Sequence, residues 1–293
     1  MSCTLVTGAS GFVGQALVTA LVGAGERVRA AYRVLPAQQL ASEAIAVGAI
    51  DGATDWGRAL EGVTRVVHLA GPAHRHADDA AYRREITDAT AALAAQAEAA
   101  GVKRFLYMSS IKAGAEHGGP LRESDQPQPQ GPYGVAKLEA ENAVLERASL
   151  SPVVLRPPLV FAPHAKANFA LLLQLAASPL PLPFAGIRNQ RSLISLQSLV
   201  GAVCAALERP QAQGVFYVTD RPALSTPDMV RSLREGMGRA PGLFSAPVAA
   251  LAPRALRETL VADDSAFRAA FAFAPPEDSH ALLRACGAAW AAR

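Results

Sequence analysis

Through the first half of the chain, short runs of consecutive apolar residues alternate with stretches whose apolar positions recur every three or four residues. The runs at Thr4–Thr7, Val28–Tyr32, Ala44–Ile50, Val66–Ala70, Phe105–Ser109 and Val153–Arg156 predict strands. Between them, Val13, Leu17 and Leu21 share one face of a helix starting near Phe12, and a longer helix runs from about Asp79 to just before Gly101. Strands that are apolar throughout need cover on both faces, and strand–helix alternation implies right-handed crossovers. The predicted fold class is therefore α/β, a doubly wound parallel sheet.

After Arg156 the pattern loosens. A helix is expected near Phe169–Ala176, then a loop broken by Pro179, Pro181 and Pro183, a strand at Ser192–Ser195, a helix at Leu199–Leu207 and a strand over 215–220. From Ser225 onward the chain reads mainly as helices punctuated by prolines, among them Pro241, Pro247 and Pro253. Residues 170–187 carry no charge over nearly the length of a membrane span. Their three prolines break such a helix repeatedly, so the stretch is expected to be a short helix and a loop over a pocket, without stable membrane insertion.

Composition narrows the class. With 293 residues, 51% of them hydrophobic and 18% charged, the chain is long enough to bury a large core. A net charge of +3 without a dense Lys/Arg block argues against a nucleic-acid partner. Cys3, Cys204 and Cys286 lie far apart in no metal-ligand spacing, which points to reduced thiols, no metal site and a cytoplasmic location. The opening residues have neither the basic lead nor the cleavage site of an export signal.

The segment "TLVTGASGFVGQALV" places Gly8, Gly11 and Gly14 between the first strand and the first helix. Glycines there allow a tight turn, close approach of backbone to a pyrophosphate, and seating of its negative charge on the helix N-terminus. That position within a βαβ unit points to a dinucleotide in a Rossmann domain. Residues 1–160 would form that domain with 190–220 adding to it, while 161–189 and 221–293 would form a smaller, mainly helical substrate-binding cap. At the end of the second strand, where a carboxylate would accept hydrogen bonds from an adenosine ribose, stand Tyr32 and Arg33. This favours NADP(H), with NAD(H) as the alternative; a plain solvated loop charge is the other reading of Arg33.

In "GPYGVAKLEAEN", Tyr133 and Lys137 stand four positions apart, on one face of a helix. Taken with "TGASGFVG", "VVHLAG", "RFLYMSSIKAGAE", "LRPPLVFAP" and "RSLISLQSLV", in that order, the chain resembles the extended branch of the short-chain dehydrogenase/reductase superfamily, the nucleotide-sugar epimerases, dehydratases and reductases. The resemblance implies that Tyr133 is the catalytic acid/base. Lys137 would orient the nicotinamide ribose and lower the phenol pKa, and Ser110, with Ser109 as its rival, would hold the substrate oxygen. It implies a cofactor lined by Gly8, Gly11, Phe12, Val13, Gly14, Arg33, Leu69, Ala70, Gly71, Tyr133, Lys137 and Pro157. Arg191 and Asn168 would meet the nucleotide phosphates, although Asn168 also reads as a helix cap.

Where family dehydratases have an Asp-Glu pair after the catalytic hydroxyl residue, this chain has Ile111 and Lys112, which disfavours dehydration. The resemblance then implies NAD(P)-dependent hydride transfer at C4 of a nucleotide-linked hexose, a UDP-N-acetyl sugar for surface polysaccharide. Arg33 tilts this toward a 4-keto-sugar reductase, with a UDP-sugar 4-epimerase as the alternative and a catalytically silent dinucleotide-binding or sensing protein as the reading of another class. Ala49, Ile86, Ala162 and His164 depart from the family pattern, and His74 and His76 read as loop histidines. Family members pair through the Tyr133 helix and the long helix before Gly101, so a homodimer is expected.

Overall fold

The computed structural model describes residues 2–72, 78–246 and 253–293. Seven of the apolar runs hydrogen-bond into one sheet: β1 (Cys3–Thr7), β2 (Arg27–Tyr32), β3 (Glu43–Ala46), β4 (Arg65–His68), β5 (Arg104–Met108), β7 (Val153–Arg156) and β10 (Gly214–Tyr217). Their order is β10-β7-β5-β4-β1-β2-β3, and every neighbouring pair is parallel. Order reverses between β1 and β4, so a crevice opens at the C-terminal ends of those two strands. Two-stranded pairs stand outside this sheet, β6 (Gly118–Leu121) with β11 (Leu260–Ala262) and β8 (Leu159–Phe161) with β9 (Leu193–Ser195).

Alternation along the strands assigns each side chain to one face. Val6, Val67, Leu106 and Leu155 pack under the helices Phe12–Gly23, Leu196–Glu208 and Ser265–Phe271. Leu5, Val66, Phe105 and Val154 pack on the opposite face, under the helices Ala89–Ala99 and Pro132–Leu145. Each such side chain contributes about 1.5–3 kcal/mol by leaving water. A third apolar cluster, around Phe161, Phe169, Leu173, Leu193, Val230 and Leu283, is the core of the cap.

Three expectations are revised. The run at Ala44–Ile50 is a strand only over Glu43–Ala46, because Val47 makes the last backbone bond to Tyr32 and the chain then turns at Gly48, whose φ is +72°. Of the two later strands, the 214–217 segment joins the main sheet, whereas Leu193–Ser195 pairs with β8 in the cap-side layer. The long helix is continuous from Asp79 to Ala99, but its Arg83–Asp88 segment is wound as a π-helix. His74 and His76 lie outside the described residues.

Arg104, at the start of β5 and buried, fastens the far edge of the fold. Its guanidinium donates to the carbonyls of Ala206 (2.6 Å), Arg209 (3.1 Å), Ala212 (2.7 Å) and Ser151 (2.9 Å), closing the C-terminus of the helix Leu196–Glu208. Burial pulls its pKa to about 10, so it stays charged at neutral pH. Replacing it strands those carbonyls away from water. We expect Arg104→Met to lower the urea-unfolding free energy by about 3 kcal/mol; a midpoint unchanged from the parent protein would contradict this role.

Candidate active site

Two loops meet at the mouth of the crevice. Gly8, with φ +67°, presses against the backbone following β4: a Cβ there would lie 2.8 Å from the Ala70 nitrogen. Gly14 faces back on the same loop, where a Cβ would fall 2.1 Å from the Gly8 carbonyl oxygen. The turn is closed by the Gly11 N–H donating to that carbonyl at 2.9 Å. Phe12 and Val13 begin the helix whose amino end opens toward the loop. A bend this tight next to uncapped helix N–H groups fits a diphosphate.

Around this bend the expected cofactor positions assemble. Leu69 and Ala70 are half-buried beside Gly8, Gly71 follows them at the rim, and Pro157 is buried behind β7 with its carbonyl accepting the Ile111 N–H at 2.9 Å. Arg33 stands at the tip of β2, where every residue from 33 to 40 is exposed. Val34 is 82% exposed. Ile86, in the π-helical segment, is buried and faces Gly71.

The Tyr133 helix starts at Pro132, a proline suited to the first helical position, with extended Gly131 as its cap. One turn on, Lys137 is buried and donates to the Met108 carbonyl at 2.8 Å, with Nζ 4.8 Å from the Tyr107 ring centre and 6.0 Å from that of Tyr133. Burial pulls the ammonium down to about 8, while the Glu141 carboxylate draws it back up. Burial pushes the Tyr133 phenol up to about 12, opposed by a hydrogen bond with Ser110, and the ring packs edge-on against Tyr82 at 5.8 Å.

The adjacent serines diverge. Ser110 caps the short helix Ile111–Gly114, accepting the Lys112 N–H at 3.2 Å. Ser109 is buried and donates to Glu141. Glu141 is bound by Arg156 through Nε at 2.9 Å and Nη2 at 2.6 Å, their side chains only 1% and 4% exposed. Arg156 also donates to the Tyr217 hydroxyl at 3.1 Å. Glu141 and Arg156 were not singled out from the sequence. The legible signal was the recurrence Tyr133, Lys137, Glu141, one residue per turn along one face.

Of the substrate candidates, Arg191 is half-buried, its backbone is tied both ways to Leu224 and its Nη1 donates to the Glu258 carbonyl at 3.1 Å. Burial lowers its pKa. Asn168 is exposed in the first turn of the helix Ala167–Ala177, whose cap is Lys166, so the capping reading of Asn168 does not hold. His164 stands against Phe12 with ring centres 5.2 Å apart, and Lys112 forms a surface ion pair with Glu116 at 3.6 Å. Among the described residues no cluster of His, Cys, Asp and Glu is placed to hold a metal ion, and no helix is long and apolar enough to cross a membrane.

Comparison with known proteins yields a consistent picture. Residues 4–218 match the model of the NAD dependent epimerase/dehydratase family. The UDP-glucose 4-epimerase of Vibrio cholerae is 38% identical over 247 residues, 78% of this chain and 74% of that protein. The crystal structure of UDP-N-acetylglucosamine 4-epimerase from Bacillus cereus shares the fold, with a TM-score of 0.86 at 18% identity over 99% of both chains. The structure of MoeE5 in complex with UDP-glucuronic acid and NAD matches at a TM-score of 0.80 and 26% identity, over 99% of this chain and 98% of that one.

The buried ammonium has a measurable consequence for stability. Burial holds the Lys137 ammonium at about 8 in the folded protein, below its ordinary 10.5, so folding buries a charge below pH 8 at a cost that fades as pH rises toward 10.5. We expect Lys137→Met to stabilise the cofactor-free protein at pH 7 by about 1–3 kcal/mol in urea titrations, with the gain shrinking through pH 8–10.5. A variant less stable than the parent at pH 7 would contradict a charge held against solvation.

Proposed function

Since the chain belongs to the NAD-dependent epimerase/dehydratase family, within the extended short-chain dehydrogenases/reductases, we propose that it transfers hydride at C4 of a UDP-linked hexose, as a 4-epimerase. The observation that carries this reading is the buried ammonium of Lys137, 6.0 Å from the ring centre of Tyr133 one turn away on the same helix, beside a glycine bend shaped for a diphosphate.

Tyr133 is the group that removes and returns the proton of the C4 hydroxyl. At about 12 its phenol is too weak an acid for this in the cofactor-free protein. The Lys137 ammonium and the cationic ring of a bound dinucleotide both favour the phenolate, and Ser110 holds the sugar oxygen in line. The dinucleotide supplies the hydride acceptor and donor at C4 of its nicotinamide. Gly8, Gly11, Phe12, Val13 and Gly14 take its diphosphate, with Leu69, Ala70, Gly71 and Pro157 walling the cleft. Arg191 and Asn168 serve the nucleotide phosphates of the sugar donor. Ile111 is buried and Lys112 is engaged with Glu116, so the two positions after Ser110 bring no carboxylate for water elimination.

Arg33, exposed at the tip of β2 without a neighbouring carboxylate, favours a second reading, a 4-keto-sugar reductase using exchangeable NADPH on UDP-N-acetyl sugars for surface polysaccharide. Epimerisation returns the hydride to the same sugar, so its dinucleotide stays bound; reduction consumes it. Retention of a buried Lys137 beside Tyr133 supports an enzyme over a silent binding module, which has no need of a proton carrier. A homodimer through the Tyr133 helix is supported by Val135, 41% exposed, and by the small residues of the helix Ala89–Ala99.

Denaturing the purified protein and identifying the released dinucleotide separates the two enzyme readings: stoichiometric NAD is expected for the epimerase, and an empty site that takes up NADPH would favour the reductase. Tyr133→Phe is expected to bind cofactor with parental affinity while turnover of UDP-glucose or UDP-N-acetylglucosamine falls at least about 100-fold. An undiminished rate would remove Tyr133 from the chemistry. Light scattering is expected to give twice the 30.5 kDa chain mass; a monomer at micromolar concentration would reject the dimer.

A further inference from the structure

His68 ends β4 on the sheet face that carries Thr7 and Tyr107, its neighbours in register on β1 and β5. It is 1% exposed, and Thr7 and Thr90 beside it are fully buried. Four contacts determine how its protons are placed. The Thr7 hydroxyl oxygen accepts the N–H groups of Leu69 at 3.2 Å and Ala70 at 3.3 Å, and lies 2.7 Å from His68 Nδ1. A hydroxyl has two acceptor sites and one proton. With both acceptor sites taken by backbone N–H groups, its proton goes to Nδ1, which is therefore bare. The ring proton sits on Nε2 and donates to the Thr90 hydroxyl at 3.1 Å.

We propose that His68, held as the neutral Nε2–H tautomer, is a positioning residue for the dinucleotide: it orients the Thr7 hydroxyl that joins the glycine-rich bend to the Leu69–Gly71 loop. This inference rests on the reading of that bend as a dinucleotide site. Thr7 immediately precedes Gly8, and Gly8 presses on the Leu69–Ala70 backbone. The two loops that would embrace the diphosphate thus share one hydroxyl, and one ring nitrogen decides which way that hydroxyl points. From the helical side, Thr90 on the helix Ala89–Ala99 fixes the other nitrogen. The ring also stacks at 5.7 Å and 22° on Tyr107, the side chain beneath Lys137. Both ends of the site therefore bear on one imidazole.

Neutrality follows from the same geometry. A second ring proton on Nδ1 would meet an oxygen whose acceptor sites are full, beside the Lys137 ammonium. Burial, with Lys137 adding to it, pulls the imidazole down to about 3, so the link persists through neutral pH. An apolar aromatic ring at position 68 deletes the ring nitrogens while keeping an aromatic side chain in the stack. His68→Phe removes both bonds; Thr7→Val removes the shared hydroxyl.

The test uses the full-length protein, stripped of any dinucleotide that co-purifies, and NAD⁺ as titrant, after the stripped parent protein has been shown to bind it. We expect each variant to raise the NAD⁺ dissociation constant about ten-fold, with the KM for UDP-sugar unchanged and kcat at saturating NAD⁺ within about three-fold of the parent. Because His68 acts on the loops through the Thr7 hydroxyl, the double variant should be no worse than Thr7→Val alone. Multiplying effects in the double variant, or equal losses in kcat and NAD⁺ affinity, would mark a merely structural role and overturn the proposal. Should His68→Phe fail to fold, Thr7→Val and ¹⁵N-histidine NMR of the parent decide. A bare Nδ1 and protonated Nε2 that do not titrate across neutral pH are expected; an Nδ1–H tautomer would overturn the proposal without cofactor or activity. A parent protein that binds no NAD⁺ while showing the expected tautomer would instead defeat the dinucleotide reading.

Discussion

The constraint on which the site depends is the ammonium of Lys137, kept charged or nearly so in a place almost without water. Burial lowers its pKa by weakening the charged form, and only nearby oxygen and carboxylate recover part of that loss. The Met108 carbonyl takes one N–H, the Tyr107 ring offers its negative face, and Glu141 supplies a charge one turn below. Glu141 is itself held in place by Arg156 and Ser109. A buried pair of this kind is weak evidence for added stability, since desolvation offsets its attraction. Its consequence is geometric: the helix Pro132–Leu145, β5 and β7 are fixed to one another.

That fixation connects to the crevice through the sheet. Alternation along parallel strands sends Thr7, His68, Tyr107 and Arg156 to the same face at the C-terminal ends of β1, β4, β5 and β7. This is the edge at which doubly wound sheets bind ligands, and the glycine bend begins there. A row of side chains thus runs along this edge from the glycine bend to the Arg156–Glu141 pair. Outside this sheet, Arg191 stands just before β9, its guanidinium tied to the Glu258 carbonyl.

Much of this is legible in the sequence because it is local. Apolar runs such as Val66-Val67 and Phe105-Leu106 are strands because both faces are covered, and Gly14 is demanded by close approach to Gly8 within its own loop. The Tyr133–Lys137 spacing is a property of one helix. What stayed hidden depends on contacts distant in sequence. Arg156 finds Glu141 only after β7 is laid beside β5, and Arg104 meets carbonyls more than one hundred positions away. Likewise β6, Gly-Gly-Pro-Leu, has little apolar signal of its own and is defined by its partner β11. Ser110 is preferred to Ser109 in the sequence by its place just past the strand end, and the partners that separate them appear only in the fold, Ser109 donating to Glu141 while Ser110 caps the next helix.

The central claim is that hydride leaves the sugar carbon beside Tyr133 for a dinucleotide lying across the Gly8–Gly14 bend. Transfer of label from a UDP-hexose deuterated at C4, followed by mass spectrometry of sugar and dinucleotide after a quench, tests it most directly. The account predicts deuterium on the nicotinamide ring during turnover, and none in the solvent. Deuterium washed out into water, or a dinucleotide that never acquires it, would contradict hydride transfer at this site.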